Sequence, residues 1–567
     1  MGAGYKTLGR GRLEAVAVLG IHVVITLALF RDLLPALGAH LFGDLGDPLL
    51  NTAILAWNAR VAPLTSAWWN FPSFAPLSGV TAWTEHLLGV YPLTSPIVWM
   101  TGNAVLAYNV LQLLSPPLNG LCTFLLVREV TGSAVGGFVG GLAFAFAPFH
   151  GEHATHIQLV TAYGMPLALY GLHAYLRTRS RAALAWFGIG WLSALLSSAY
   201  LLVFFPMLVL LWCVWFLRSQ AWRAWAAIAV TALVAALPIV PLLWGYYVRQ
   251  RAYAFARSYD ELQAFSASLV ALAGIPHRSV LWRGVLPGTF YEASLFPGMA
   301  IAILVVIALL ARVGPSERAA EEAHVRRACV LFYVVAAVVM WSLAIGPEPT
   351  WSGGSAPVYG PYWLLLHAPG AQSIRVPARA WLVSTMCLAV CAGAGAADLA
   401  GRRRLRWVVL PLALVIVAEG WFVDRTFAVP APDRDARIPA HATVLDLPLY
   451  PGYENAVPQY FAVLSGYRAI NGYSGYEAPH VGPLRDALGQ HRSAALNVFR
   501  RRGDLYVLVR PPVDRPLVEW LESQPAVAPM EPAGEVRLYR LPRIGPGPAV
   551  AELTPLPRPG RAQFSVP

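Results

Sequence analysis

Apolar runs near the roughly twenty residues that a bilayer demands recur along this chain, and the loops between them carry clustered arginines. That pattern constrains the fold more than any motif. Inside hydrocarbon every backbone amide must be satisfied within the chain, so runs of this kind are helices. Of 567 residues, 57% are hydrophobic and only 13% are charged, whereas a soluble domain carries about 25% charge. The chain therefore reads as a polytopic α-helical membrane protein of about eleven transmembrane helices with a small C-terminal α/β soluble domain. Its net charge of +12 follows the positive-inside pattern and does not point to nucleic acid.

The arginines set the expected topology. Lys6, Arg10 and Arg12 stay inside, and the first span covers about 13–30. The run at 86–102 contains Tyr91-Pro92 and Ser95-Pro96, ends at Asn103, and has no charge marking a cytoplasmic end. It reads as a helix lying on the outer membrane surface. Arg128, the Arg177–Arg181 group, Arg218 with Arg223, Arg312 to Arg327 and Arg402 to Arg406 then all fall inside. The first span lacks a small-residue cleavage site and reads as a start-transfer anchor. A membrane domain is thus expected over 1–423, with outer loops 31–103, 148–158, 246–295 and 347–380. An extracytoplasmic α/β domain follows over 424–543, and a Pro- and Gly-rich disordered tail over 544–567. All five cysteines lie in or beside spans, so the exported part must fold without disulfides.

Polar residues in the outer loops are the candidates for chemistry. Asp44 and Asp47 follow the first span, in a turn shaped by Gly43, Gly46 and Pro48, and Asn51, Trp57 and Asn58 follow at helical spacing. Such aspartates can cap a helix, catalyse, or do both. Glu85 and His86 open the surface helix. His150, Glu152, His153 and His156 form a second cluster. Histidines at i, i+3 and i+6 can share a helix face and bind a divalent metal, although the spacing fits no standard zinc signature. Substrate binding or acid/base work is the alternative for this cluster. Arg249, Arg375 and Arg379 lie outside, against the charge rule. A guanidinium fork at a membrane surface suits a lipid phosphate, and snorkelling to ordinary headgroups is the bland alternative.

The order of these features resembles the C-type (GT-C) superfamily of membrane glycosyltransferases, and more closely a bacterial branch of it. The resemblance rests on Gly46-Asp-Pro-Leu-Leu-Asn51 with Ala56-Trp-Asn58, Thr84-Glu-His86, Ala107-Tyr-Asn109, and Glu292 before Leu295-Phe-Pro-Gly298. Arg375-Val-Pro-Ala-Arg379 and Asn471-Gly-Tyr-Ser-Gly475 complete it. The superfamily implies a polyprenyl-phosphate-linked sugar donor and a lipid, glycan or protein acceptor of the envelope. It implies transfer on the outer face of the cytoplasmic membrane, with Asp47 inheriting the role of general base. Where many members carry an aspartate in the second outer loop, this chain has Glu152 among histidines. Two other readings share the scaffold: a lipid-linked-saccharide flippase, and a non-catalytic envelope-assembly protein.

Overall fold

The computed structural model describes residues 2–545 apart from 219, 254, 256, 290–291, 293, 312–316, 352–353, 356–357, 369–372, 432–436, 513–514 and 534. For residues 2–10, 317–323 and 531–533 it describes the backbone alone. From residue 546 onward the expected disordered tail lies outside the described residues.

The chain is a multi-pass membrane protein. Among the described residues six helices are long and apolar enough to cross a bilayer, or seven if the broken pair Trp222–Ala236 and Ile239–Tyr253 makes one span. The hydropathy reading of about eleven counted runs that form shorter helices here, such as Arg181–Ser197 and Met299–Leu309. The expected surface helix runs Tyr91–Thr101, so Glu85 and His86 precede it and do not open it.

Two compact units form. The first comprises Met1–Pro35, Asn109–Val240 and Ala256–Arg425; the second comprises Ala36–Tyr108, Pro241–Phe255 and Thr426–Pro567. In the first unit the helix Ala134–Ala145 carries paired glycines one turn apart, and each pair member faces a different neighbour. A Cβ on Gly136 would stand 2.6 Å from the Gly393 carbonyl oxygen in the helix Trp381–Gly401. One on Gly141 would stand 2.7 Å from the Gly120 carbonyl oxygen in the helix Ala104–Thr131. Lipid offers no hydrophobic force between helices, so small residues that let backbones close together supply the contact.

One buried carboxylate in this unit is fully engaged by N–H donors. Glu419, at the end of the helix Val409–Glu419, accepts the Met299 and Ala300 N–H groups at 2.7 and 3.0 Å and the Trp282 indole N–H at 2.9 Å. It caps the helix Met299–Leu309, whose first amides have no partner inside the helix.

In the second unit the helix Asp47–Arg60 is buried over most of its circumference and packs on Tyr91–Thr101 and Ala456–Ser465. A five-stranded sheet is built from β1 (Thr443–Leu447), β2 (Arg468–Ala469), β3 (Leu505–Val509), β4 (Ala528–Ala533) and β5 (Val536–Leu541). Its order is β4-β5-β3-β1-β2, with β1 parallel to both neighbours and the β3-β5 and β5-β4 pairs antiparallel. β3 is buried along its whole length, as a central strand covered on both faces must be. A short antiparallel ladder joins His40–Phe42 to Thr426–Ala428.

The glycine seam gives a direct test. Gly136→Val should force the 134–145 and 381–401 helices apart and cost about 1–3 kcal/mol or more. A lowered melting temperature in detergent would show this, while an unchanged one would mean the seam is not close-packed.

Candidate functional site

The sequence candidates fall into two clusters, one in each unit. In the second unit the turn before the helix Asp47–Arg60 is fixed locally. Asp44 accepts the Gly46 N–H at 2.7 Å, an Asx turn that delivers the chain into the helix. Gly46 is the N-cap and no side chain caps it, so Asp47 stands at the first helical position with Pro48 behind it. A carboxylate in this first turn is favoured by the helix dipole. The Asp47 carboxylate accepts the Tyr473 hydroxyl at 2.8 Å. Tyr108 lies buried within electrostatic range of both Asp44 and Asp47.

Asn51, one turn on from Asp47, is buried. Asn58 bridges two elements: its Oδ1 accepts the Trp68 indole N–H at 2.7 Å and its Nδ2 donates to the His86 carbonyl at 2.8 Å. His86 is buried, and its Nδ1 accepts the Leu88 N–H at 3.1 Å, which puts the ring proton on Nε2. Burial holds its pKa down at about 4, so the ring is neutral. Glu85 beside it is half-buried. Arg249 lies over the Trp69 ring, 4.1 Å from the centroid, and donates to the Gly245 carbonyl at 3.0 Å.

In the first unit the histidines do not share a helix face. His150 lies in the short helix Pro148–Glu152, His153 ends it, and His156 precedes the next turn, Ile157–Val160. Pro148 at the start of the first short helix and a break at His153 redirect the chain. His150 is buried against Phe144 and Phe149 and lines a small cavity with Gln112 and Asn119. Glu152 sits 3.5 Å from His277, and its carbonyl accepts Arg278 at 3.1 Å. Among the described residues no group of three or more His, Cys, Asp and Glu side chains is arranged to hold a metal ion.

The strongest electrostatic feature involves a residue to which sequence reasoning assigned no role. Arg379 donates through Nε and Nη2 to Glu292 Oε1, at 2.9 and 2.6 Å. The guanidinium also lies 4.7 Å from the Tyr200 ring centroid. Glu292 Oε2 stands 3.6 Å from His153 Nε2, and His153 in turn lies on Phe149, with ring centroids 4.1 Å apart. Burial pushes the Glu292 carboxyl up, but the Arg379 guanidinium outweighs it and holds the carboxyl at about 2. Burial drives His153 well below its ordinary value despite the pull of Glu292. Arg375 stacks on Phe265, 4.7 Å from the centroid. Among the described residues it forms no ion pair. The signals that could have exposed Glu292 and Tyr473 were an acid in an outer loop just before a span and the phrase Asn471–Gly475.

The fold is similar to that of solved GT-C glycosyltransferases. Its similarity to ArnT from Cupriavidus metallidurans, solved bound to undecaprenyl phosphate, has a TM-score of 0.51 at 12% identity and covers 93% of this chain and 97% of that one. The mycobacterial arabinofuranosyltransferase AftD also gives a TM-score of 0.51, at 14% identity over 94% of this chain; the match spans 41% of AftD. Residues 108–418 match the family described as a domain of unknown function, DUF6311, and the chain belongs to that family. No curated protein matches it in sequence.

The ion pair makes a prediction with a defined sign. Glu292→Gln leaves a buried guanidinium unmatched and should cost about 3–5 kcal/mol at neutral pH. A carboxyl depressed in the folded state stabilises above its ordinary value of 4.5, and that contribution is lost as pH falls towards about 2. The depressed His153 adds a loss of stability that begins as pH falls through 6.5. Melting temperatures of wild type and Glu292→Gln should therefore converge between pH 4.5 and 2. A constant gap across that window would refute the assignment.

Proposed function

We propose that this protein is a glycosyltransferase that moves a sugar from a polyprenyl-phosphate-linked donor to an acceptor hydroxyl on the outer face of the cytoplasmic membrane. Its N-terminus is then cytoplasmic and the five-stranded sheet lies outside. The observation that carries the reading is the Asp47 carboxylate, set at the start of a buried helix and addressed by the Tyr473 hydroxyl. The fold similarity to ArnT, which binds undecaprenyl phosphate, supports the donor class.

In this reaction the acceptor oxygen bonds to the anomeric carbon while its proton passes to Asp47. The bond from that carbon to the phosphate oxygen breaks, and the electron pair leaves with the lipid phosphate. Arg375 and Arg379 stabilise that developing charge. Asp44 holds the turn that presents Asp47. Glu152, His153 and His156 remain the candidates in the second outer loop for substrate contacts. A divalent metal, if one is used, would supply Lewis-acid stabilisation of the phosphate; no step here is assigned to it.

The test uses the purified protein in lipid with a panel of polyprenyl-phosphate sugars, comparing wild type with Asp47→Asn, each with and without chelator. Transfer should fall at least about 100-fold in the variant. A fully active Asp47→Asn enzyme would remove Asp47 from the chemistry. Donor binding with no turnover by wild type would favour the flippase or scaffold reading, and the chelator arm decides the metal.

A further inference from the structure

Resting on the Asp47 reading above, we infer that Tyr473 is a positioning residue for Asp47, and that the segment Asn471–Gly475 is the device that holds its hydroxyl on the carboxylate. Each residue of this segment but the last is anchored by a different contact. Asn471 is fully buried and behaves as an extra rung of the sheet: its Oδ1 accepts the Asp446 N–H and its Nδ2 donates to the Asp446 carbonyl, both at 2.8 Å. It also donates to Asn455 Oδ1 at 3.2 Å. Gly472 passes so close to Phe74 that a Cβ there would lie 2.6 Å from the ring. The Tyr473 N–H donates to Oε1 of the buried Gln459 at 2.8 Å. The Ser474 hydroxyl donates to the Trp83 carbonyl.

Asn471, Gly472 and Gln459 are buried, whereas Tyr473 and Asp47 are both half-buried. The anchored segment carries the Tyr473 hydroxyl to a carboxylate at the first position of a helix. Holding a reacting group within a few tenths of an ångström is what such a supporting shell achieves. A hydroxyl that donates to the charged form of a carboxylate also favours that form, and a general base must be ionised to act.

Tyr473→Phe keeps the ring and the segment and removes only the donor. In the transfer assay its acid limb should move to higher pH by about one unit, with a loss of about tenfold on that limb and a smaller loss at alkaline pH. A superimposable pH profile would overturn the inference, since a merely structural defect lowers yield or stability and leaves the profile in place. A second readout needs no turnover. 3-Fluorotyrosine at position 473 in the full-length protein in lipid should show a 19F shift step in acid that Asp47→Asn abolishes. Absence of an Asp47-dependent step would overturn the contact. If the step is present but wild type transfers no sugar, the transferase reading falls and the Tyr473–Asp47 contact stands.

Discussion

A guanidinium removed from water has to meet an anion, and the Arg379–Glu292 pair is where this chain answers that demand. Four segments depend on it. Glu292 comes from the stretch before Leu295-Phe-Pro-Gly298, Arg379 from the turn ahead of the helix Trp381–Gly401, Tyr200 from the start of the helix Ala199–Leu217, and His153 from the break between two short helices. The pair works because both Arg379 donors converge on one oxygen while an aromatic face covers the cation. Without such geometry the desolvation of two ions outweighs their attraction. His153 is kept neutral beside it, so the cluster carries one cation and one anion and no surplus charge.

The same rule recurs at three other buried polar groups. Glu419 spends its two oxygens on two helix amides and an indole N–H. Asp446 accepts Arg510 Nε on both oxygens, at 2.9 Å, while Asn471 completes its backbone. Asn58 ties Trp68 to the His86 backbone. Glu419, Asn471 and Asn58 are polar side chains that take the place of a backbone partner. That is how irregular chain can run through a buried interior without orphaned amides.

Much of this was legible in the sequence, and the limits have physical causes. Hydropathy identified a membrane fold, because apolar runs are local signals. A span count is harder to read, because short helices such as Met299–Leu309 share the composition of spanning ones. Asp47 stood out as a candidate because a carboxylate next to a span is costly without a purpose. Its partner did not, since Tyr473 lies 426 positions away and nothing local announces the contact. Glu292 was visible only as part of a family phrase for the same reason: its meaning depends on Arg379, 87 positions on.

The two arginines of Arg375-Val-Pro-Ala-Arg379 look equivalent in sequence and are not equivalent in the fold. Arg379 is buried and committed to Glu292, so a phosphate reaching it must share or displace a carboxylate already in good geometry. Arg375 is half-buried and rests on Phe265, a contact that leaves a guanidinium's in-plane donors facing away from the ring. Stacking of this kind is worth about 0.5–1 kcal/mol near a surface, far less than a buried ion pair.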